Sequence, residues 1–452
     1  MKMKAHVLFM PLLTLSGFLT EAQQKVKLIT VDPGHFHAAL VQKTMYPEVD
    51  PTVHVYAEKG NDLQLHLDRI KGYNTRADQP TKWNQLVYEG KDFFQKMINE
   101  RKGNVVVLAG NNQLKTSYIL NAVQNGFHVF ADKPMVINNE GFEQLKKAFE
   151  ISKQKKLQLY DIMTERYEIT TMLQRELSMD PFVFGSLEKG SPDNPSVTKE
   201  SVHHFYKYVS GSVLTRPAWF FDVTQEGEGI VDVTTHLVDL IQWECFPEKI
   251  IDYKKNINII DAKSWNTSMT KDEFKLVTKE KEIPSYLQSN INKDGNLQVL
   301  CNGAFTYTIN GVHAKVSVIW NYKAPDGTGD THYSLMRGTK SSLIIRQGKE
   351  ENFKPTLYVE GPTDEKFEQN LNASIQKINE KFPGVSIKKN PKGWEVIIPD
   401  QYKESHETHF ARVTEKYLEY LKNNNMPSWE VPNMIAKYYT TTAARALANK
   451  GK

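Results

Sequence analysis

The chain of 452 residues is long enough for two or three domains, and its 40% hydrophobic and 24% charged residues are typical of a soluble globular protein. The formal net charge of +4 is small and no dense basic run appears, which argues against nucleic acid as a partner. No segment beyond the first residues is long and apolar enough for a membrane helix, so no stable membrane insertion is predicted.

Residues 1–22 have the pattern of a secretory signal peptide. The basic start MKMK is followed by a short apolar stretch and then by small and polar residues, with cleavage expected after Ala22. The alternative is a buried N-terminal helix, which Pro11 and the immediate switch to a strand pattern disfavour. The mature protein is therefore predicted to be periplasmic or extracellular. Its two cysteines, Cys245 and Cys301, are predicted to be buried free thiols rather than a disulfide.

Residues 25–160 alternate between short apolar runs and helical segments. Strands are predicted in KVKLITV, VHVYAE, NVVVLAG, HVFADKP and LQLYDIM. Helices are predicted in HAALVQKTMY, WNQLVYEGKDFFQKMINE, SYILNAVQNG and NEGFEQLKKAFEISKQ. This alternation predicts an α/β fold with a doubly wound parallel sheet of the Rossmann type.

Residues 161–410 predict a second domain of the α+β class. Aromatic and β-branched runs, separated by turn sequences, indicate an open and mainly antiparallel sheet. The strand candidates are AWFFDV, LQVLCNGAFTYTI, VHAKVSVIWNY and SSLIIRQ. A Lys-rich polar stretch near residues 250–292 is interpreted as an insertion or a long connection, and residues 411–452 return to a helical pattern.

The turn after the first predicted strand replaces most of a dinucleotide-binding fingerprint. Where Gly-x-Gly-x-x-Gly is expected, residues 32–37 read DPGHFH. Gly34 is left to let a pyrophosphate approach the backbone, and His35, Phe36 and His37 are candidate contacts to the cofactor. The turn is therefore interpreted as an altered phosphate loop.

Other candidate cofactor contacts follow neighbouring strands, where the carboxyl ends of a parallel sheet meet. Glu58 lies 24 residues after Gly34 and ends the second predicted strand. A carboxylate at this position accepts hydrogen bonds from ribose hydroxyls and repels a 2′-phosphate, so NAD is favoured over NADP. Asn111 and Asn112 follow the strand NVVVLAG at the same edge, and Lys133, at the end of the strand HVFADKP, is a further candidate contact to the cofactor. The alternative for Glu58 is a solvated glutamate at a strand end.

Two further segments carry residues suited to proton transfer. Lys133 precedes Pro134, which disfavours a helix there, and its ammonium could donate a hydrogen bond to a substrate oxygen. In EGEGIVDVTTHLVDLIQW, Asp232 and His236 lie four residues apart and share a helix face, so the histidine is a candidate general base. The pair could instead bind a metal or cap a helix with a core histidine. No third ligand follows at metal spacing, so no metal is predicted.

The segment HHFYKYVSGSVLTRPAWFFD supplies candidate substrate contacts. Aromatic side chains stack on sugar rings, although in strands they more often belong to the core. The candidates are His203, His204, Lys207, Arg216 and Trp219. His406 and His409, on a predicted C-terminal helix, are interpreted as structural.

In combination, these features resemble the Gfo/Idh/MocA oxidoreductases, the family of glucose–fructose oxidoreductase and inositol dehydrogenase. Asp132-Lys133-Pro134 is similar to the family's Glu-Lys-Pro motif, and the family's Asp-x-x-x-His pair matches Asp232 and His236. The resemblance covers nearly all of the mature chain. It implies a sugar, polyol or glycoside substrate, an open second sheet used for homo-oligomer contacts, and a C-terminal helix packed back on the nucleotide domain.

The resemblance also implies roles for single residues: Lys133 positions the reacting hydroxyl, His236 takes or returns its proton, and Asp232 orients the substrate or the histidine. The sequence thus predicts an exported oxidoreductase that transfers hydride between a sugar or glycoside carbon and a tightly bound NAD. One alternative is an NAD-assisted glycosidase of the same family that oxidises, eliminates and re-reduces. The other is an inactive binding protein that retains the fold.

Overall fold

Two β-sheets organise the part of the chain described by this computed structural model, residues 25–209, 212–325 and 328–450. The predicted signal peptide, residues 1–22, lies outside that part. The first sheet is parallel and the second is mainly antiparallel, which confirms the predicted α/β class with an α+β second domain.

The N-terminal domain has six parallel strands, β1 (Leu28–Val31), β2 (Thr52–Ala57), β3 (Asn84–Glu89), β4 (Val105–Leu108), β5 (His128–Asp132) and β6 (Leu159–Ile162). Its helices are α1 (His37–Leu40), α2 (Asn61–Thr75), α3 (Phe93–Glu100), α4 (Asn112–Gln124) and α5 (Asn139–Lys155). The strand order β3-β2-β1-β4-β5-β6 is that of the Rossmann fold, with its switch point between β1 and β4. Both of these strands are buried along their whole length, as their continuous apolar runs predicted.

Two sequence predictions of local structure are wrong. The segment predicted as one helix, WNQLVYEGKDFFQKMINE, holds β3 in its first half and α3 in its second. Because β3 lies at the sheet edge and is half-exposed, it needs no continuous apolar run to mark it as a strand. The predicted strand AWFFDV is a short 3-10 helix, Ala218–Phe221. Its aromatic residues join a core cluster with Phe205 instead of a sheet.

The second domain has a nine-stranded sheet, formed by β7 (Val197–Tyr206), β10 (Ile257–Met269), β11 (Leu297–Ile309), β12 (Val312–Lys323), β13 (Thr331–Arg337), β14 (Ser342–Arg346), β15 (Thr356–Glu360), β16 (Ser386–Asn390) and β17 (Gly393–Ile397). A small separate pair is β8 (Tyr208–Val209) and β9 (Ser212–Val213). The helices are α6 (Ile169–Ser178), α7 (Thr234–Cys245), α8 (Tyr253–Asn256), α9 (Lys271–Thr278) and α10 (Glu365–Lys381). Strands follow the order β10-β11-β12-β7-β13-β14-β15-β17-β16, and only β12 and β7 pair in parallel.

The polar stretch near residues 250–292 is part of this sheet, so its interpretation as an insertion or connection is wrong. It contains β10, which pairs along β11, and α9, whose N-terminus carries a capping box between Thr270 and Glu273. As an edge strand, β10 exposes many of its positions. Its polar composition therefore resembles that of a loop.

Two C-terminal helices, α11 (His406–Asn423) and α12 (Glu430–Ala448), return to the Rossmann domain. On α11, Phe410 and Tyr417 belong to the core of that domain. On α12, Tyr438 joins the same core, whereas Ala436 joins the core of the second domain. This agrees with the packing implied by the family resemblance. None of the described helices is long and apolar enough to cross a bilayer.

The two cysteines carry free thiols, as predicted. Cys301, on β11, is buried, whereas Cys245, at the end of α7, is only half-buried. The predicted burial is therefore correct for Cys301 alone.

A buried network of charges joins the two domains. The Arg166 guanidinium, just after β6, donates two hydrogen bonds of 2.7 Å to Asp239 on α7 and one of 3.0 Å to Glu430 on α12. Lys437 on α12 lies 2.8 Å from Asp239 and 2.6 Å from Asp161 on β6. All five side chains are buried, so each charge depends on its partners for stabilisation.

Asp239→Ala is expected to destabilise the protein strongly, because it leaves the Arg166 and Lys437 charges buried without their shared partner. The expected loss in the free energy of unfolding is about 3–5 kcal/mol, measured by urea denaturation. Lys416→Ala, which breaks a partly exposed pair with Glu419 on α11, is the control and should cost less than about 1 kcal/mol. Equal effects of the two substitutions would contradict a structural role for the network.

Candidate active site

A cleft of about 1110 Å³ lies between the two domains. On the Rossmann side it is lined by His35 and His37 after β1 and by Lys133 after β5. On the other side it is lined by strand residues that include Ser201 and His203. The cleft thus lies at the carboxyl ends of the parallel strands, where ligands bind in open α/β sheets, and its volume suits a small organic substrate.

Lys133 and His236 line this cleft, but Asp232 is paired differently from the sequence prediction. Asp232 lies in the turn before α7, and its carboxylate accepts a hydrogen bond from the Lys133 ammonium rather than from His236. The Nδ1 atom of His236 is buried and has no hydrogen-bond partner among the described residues. The structure therefore places Asp232 to orient Lys133 and leaves this buried histidine nitrogen without a hydrogen bond.

The surroundings fix the protonation states of both basic residues. Burial, reinforced by the charge of Lys133, holds the pKa of His236 well below its ordinary value, so the imidazole is neutral. Burial alone would lower the pKa of Lys133, but the carboxylates of Asp232 and Asp132 raise it, so the ammonium keeps its proton. The cleft thus presents a neutral proton acceptor and a cationic donor together.

Glycines position the segment that carries Asp232. A Cβ on Gly229 would lie 1.7 Å from the backbone oxygen of Cys301, and a Cβ on Gly303 would lie 2.7 Å from the Ile230 side chain. The turn therefore lies directly against β11, which only glycines at these points allow. The EGEG sequence thus serves close packing of this turn against the sheet.

The altered phosphate turn contacts the second domain. Asp32 adopts a left-handed conformation with φ of 48°, and a Cβ on Gly110 would lie 2.0 Å from its backbone oxygen. A Cβ on Gly34 would lie 3.0 Å from both Asp62 and Trp219. The Trp219 indole donates a 2.7 Å hydrogen bond to the Asp62 carboxylate. Trp219, predicted as a substrate contact, thus lies over Gly34 and not along the cleft.

The adenosine end of the Rossmann domain is rich in carboxylates. Glu58 is exposed directly after β2, where a ribose-binding carboxylate is expected. Burial, together with the charges of Asp62 and Glu58, raises the pKa of Asp32 to about 6. Glu58 therefore lies where the ribose of a dinucleotide is expected, and the neutral His236 imidazole lines the cleft.

Asn111 and Asn112 form hydrogen bonds between the Rossmann domain and the second domain. The Asn111 side chain caps α4 and donates a 2.7 Å hydrogen bond to the Gln225 side chain. The Asn112 amide donates to the backbone oxygen of Glu226, also at 2.7 Å. The side-chain amides predicted to contact the cofactor are thus engaged in holding the loop that leads to Asp232.

His35 and His37 both point towards the end of β5. The Nδ1 atom of His37 lies 2.9 Å from Oδ2 of Asp132, and the Nδ1 atom of His35 lies 3.5 Å from the same oxygen. The two imidazoles contact each other with ring centroids 4.0 Å apart, and the largely buried Phe36 ring packs against both of them. All three predicted cofactor contacts thus border the cleft, with both Nδ1 atoms directed at Asp132.

The predicted substrate contacts divide into two groups. His203 and Lys207 line the cleft, and both lie near Asp330, at 3.2 Å and 2.7 Å. His204 also contacts Asp330, at 3.1 Å, but is buried behind the cleft wall. The buried Arg216 guanidinium borders the cleft and donates to the backbone oxygens of residues 204 and 205. Of the four residues, His204 therefore does not border the cleft.

Sequence reasoning missed Asp330, which lies near a turn sequence that reads as an ordinary loop. Burial alone would raise its pKa, but the charges of His203 and Lys207 hold the pKa of Asp330 far below its usual value. Asp330 therefore stays ionised and fixes the direction of both side chains in the cleft.

A second missed feature is the pair of Glu165 and His406 on the cleft wall. Glu165 lies just after β6 and its carboxylate is 3.6 Å from the His406 imidazole at the start of α11. Burial, reinforced by the charge of Glu168, raises the pKa of Glu165 to about 7. His406 and His409, interpreted from the sequence as structural, both line the cleft.

The pH dependence of stability is expected to report on Glu165. A carboxyl group whose pKa rises from 4.5 to about 7 on folding binds its proton more tightly in the folded state, so it reduces stability as pH rises through this range. Glu165→Gln should therefore weaken the fall in melting temperature between pH 5 and pH 8. Glu143→Gln, at an exposed carboxylate on α5, should leave that fall unchanged. Identical profiles for wild type and Glu165→Gln would refute the raised pKa.

The fold and the cleft define a two-domain oxidoreductase with a Rossmann cofactor domain and a second domain built on an open sheet. Residues 29–160 match the family model described as "Oxidoreductase family, NAD-binding Rossmann fold", and residues 173–449 match "Putative oxidoreductase C terminal domain". The chain belongs to the Gfo/Idh/MocA family of oxidoreductases, and NAD is its cofactor class. None of the curated proteins matches the sequence.

Solved structures show the same architecture. The crystal structure of a "putative oxidoreductase" from Parabacteroides merdae is 55% identical, has a TM-score of 0.93, and the match covers 95% of this chain and 99% of that one. Levoglucosan dehydrogenase, in complex with NADH and levoglucosan, is 13% identical with a TM-score of 0.59, covering 94% and 98%. GenD2 from gentamicin A biosynthesis, in complex with NAD, is 16% identical with a TM-score of 0.57, covering 95% and 96%. The latter two share the fold.

Proposed function

We propose that the protein transfers hydride between a hydroxyl-bearing carbon of a sugar or glycoside and a nicotinamide cofactor. The observation that carries this proposal is the joint placement of a Lys133–Asp232 ion pair and a neutral His236 in one cleft at the carboxyl edge of the Rossmann sheet. A carbohydrate substrate is supported by the fold shared with levoglucosan dehydrogenase.

The chain's own residues supply the proton chemistry. The Lys133 ammonium donates a hydrogen bond to the substrate oxygen, and Asp232 holds that ammonium in place. The neutral His236 imidazole, which lines the cleft, accepts the hydroxyl proton while the carbon–hydrogen bond breaks and a carbonyl forms. NAD, when bound, accepts the hydride. Glu58 is the residue proposed to hold its ribose, whereas Gly34 is covered by Trp219 and Asp62 in this structure.

Lys133→Ala and His236→Ala are each expected to lower kcat by about 10²–10⁴-fold, because each removes one half of the proton-transfer pair. Activity is followed as NADH formation at 340 nm across a panel of sugars and glycosides. Bound NAD, measured by mass spectrometry of the purified variants, should change little. Lys293→Ala and His313→Ala, outside the cleft, serve as controls. Near-normal turnover of both cleft variants would refute the assignment.

The NAD-assisted glycosidase remains the second candidate, because Glu165 and His406 add a second acid–base pair to the cleft wall. A mechanism of oxidation, elimination and re-reduction needs proton transfer at more than one atom of the substrate. In the same assay, release of free sugar from a glycoside without net NADH would favour this candidate over net oxidation. Purified protein that neither contains nor binds NAD would favour an inactive binding protein.

Export is also part of the proposal, supported by the basic start and short apolar stretch of residues 1–22. Free nicotinamide cofactor is scarce outside the cytoplasm, so the cofactor is proposed to be tightly held and recycled within each catalytic cycle. A homo-oligomer formed through the nine-stranded sheet is proposed on the resemblance to the family alone.

Cleavage of the signal peptide gives a direct test of export. Protein recovered from the producing cells should begin at Gln23, because cleavage is expected after Ala22. Intact mass spectrometry of the native protein measures this start. A native chain that retains residues 1–22 and stays in the cytoplasmic fraction would contradict export.

A further inference from the structure

Three potential metal ligands converge beside the cleft. His35, His37 and Asp132 each direct one ligand atom to a common point, and these atoms all lie within 4.8 Å of one another. This is the one such group of three in the described part of the chain. The group is not visible in the sequence, because the histidines follow β1 and the aspartate ends β5.

The distances match those between ligands of one metal ion. Oδ2 of Asp132 lies 2.9 Å from Nδ1 of His37 and 3.5 Å from Nδ1 of His35. With metal–ligand bonds of about 2.1 Å, neighbouring ligand atoms lie about 3.0 Å apart in octahedral and about 3.4 Å apart in tetrahedral geometry. The two distances from Asp132 therefore suit a shared metal ion, and the two histidine ligand atoms lie within 4.8 Å of each other.

One of the three atoms lacks any other role. The Nδ1 atom of His35 is buried and has no partner of hydrogen-bond geometry among the described residues. A buried polar atom without a partner is unfavourable, and a hydrogen-bonded network alone would leave it unsatisfied. Both imidazoles border the cleft, so further ligands such as water or a substrate oxygen could complete the coordination.

The surrounding charges permit a cation. The Lys115 ammonium lies 3.3 Å from the backbone oxygen of Asp132, and Lys133 follows Asp132 directly. These two positive groups are opposed by the Asp132 carboxylate itself and by Asp232, which is bonded to Lys133. Two carboxylates thus face two ammonium groups around the site.

We propose that His35, His37 and Asp132 bind a divalent transition-metal ion at the edge of the cleft. Two imidazole nitrogens and one carboxylate oxygen form a ligand set that suits Zn²⁺, Fe²⁺ or Co²⁺ better than Ca²⁺ or Mg²⁺. The site goes beyond the proposed hydride transfer and does not depend on it. If that function is correct, the ion lies next to Lys133, where it can bind a substrate oxygen.

Metal content and Co²⁺ binding test the proposal. The mature chain, purified without chelator, should contain about one equivalent of a transition metal by plasma mass spectrometry. After chelation, added Co²⁺ should produce visible absorption bands from imidazole coordination. His35→Ala and Asp132→Asn should each weaken Co²⁺ binding by at least about 100-fold. His406→Ala removes a neighbouring imidazole outside the set and should leave Co²⁺ binding unchanged.

Circular dichroism of each variant separates loss of metal from loss of fold, and His35, which is partly exposed, is the substitution that the fold should tolerate best. Equal Co²⁺ affinity in wild type and folded His35→Ala would overturn the proposal, as would wild-type protein with neither bound metal nor Co²⁺ bands at millimolar concentration. The three residues would then be a hydrogen-bonded network. Because the assay needs no substrate, failure of the proposed oxidoreductase activity leaves its outcome unaffected.

Discussion

The buried ion pairs around Asp239 hold together the two domains whose relative placement forms the cleft. Arg166 belongs to the Rossmann side, Asp239 to α7 and Lys437 to α12, so one network joins three elements from both parts of the chain. His236 lies on α7 one turn before Asp239, and the helix that carries the proposed base is thereby anchored to β6. Since a buried charge without its partner costs several kcal/mol, the network favours one relative placement of the domains.

The loop before α7 is held by a second set of contacts. Asn111 and Asn112 bond it to the Rossmann domain, and the missing side chain of Gly229 lets it lie against β11. Asp232 can therefore reach Lys133 from the opposite domain. The proposed catalytic pair is thus an interdomain contact, and neither domain contains it alone.

The altered phosphate turn shows how a Rossmann domain can lack most of the usual glycines and still form the turn after β1. Asp32 takes a left-handed conformation that an aspartate tolerates better than most residues. Gly34 keeps its place beneath Trp219 and Asp62, where a side chain would be crowded. The His37 side chain forms a hydrogen bond with Asp132 at the end of β5. Where a glycine would leave the backbone exposed, this turn therefore has a side chain bonded to the next part of the sheet.

Buried central strands could be predicted from the sequence more readily than exposed edge strands. Buried strands such as β4 were evident because both of their faces require apolar residues. The edge strands β3 and β10 were missed because exposure removes that requirement. Lys133 and His236 were found because their neighbours in sequence, Pro134 and the helical segment, indicate where the chain turns towards the cleft.

The sequence by itself determined the class of fold, the cofactor domain and the identity of the residues most suited to proton transfer, because these follow from local patterns. The tertiary structure decided which charges meet. Asp232 accepts a hydrogen bond from Lys133 and not from His236, and Glu165 lies beside His406. Asp132 contacts both His35 and His37 of the turn after β1. These partners lie far apart in the chain, and only the packing of the two domains and the C-terminal helices brings them within bonding distance.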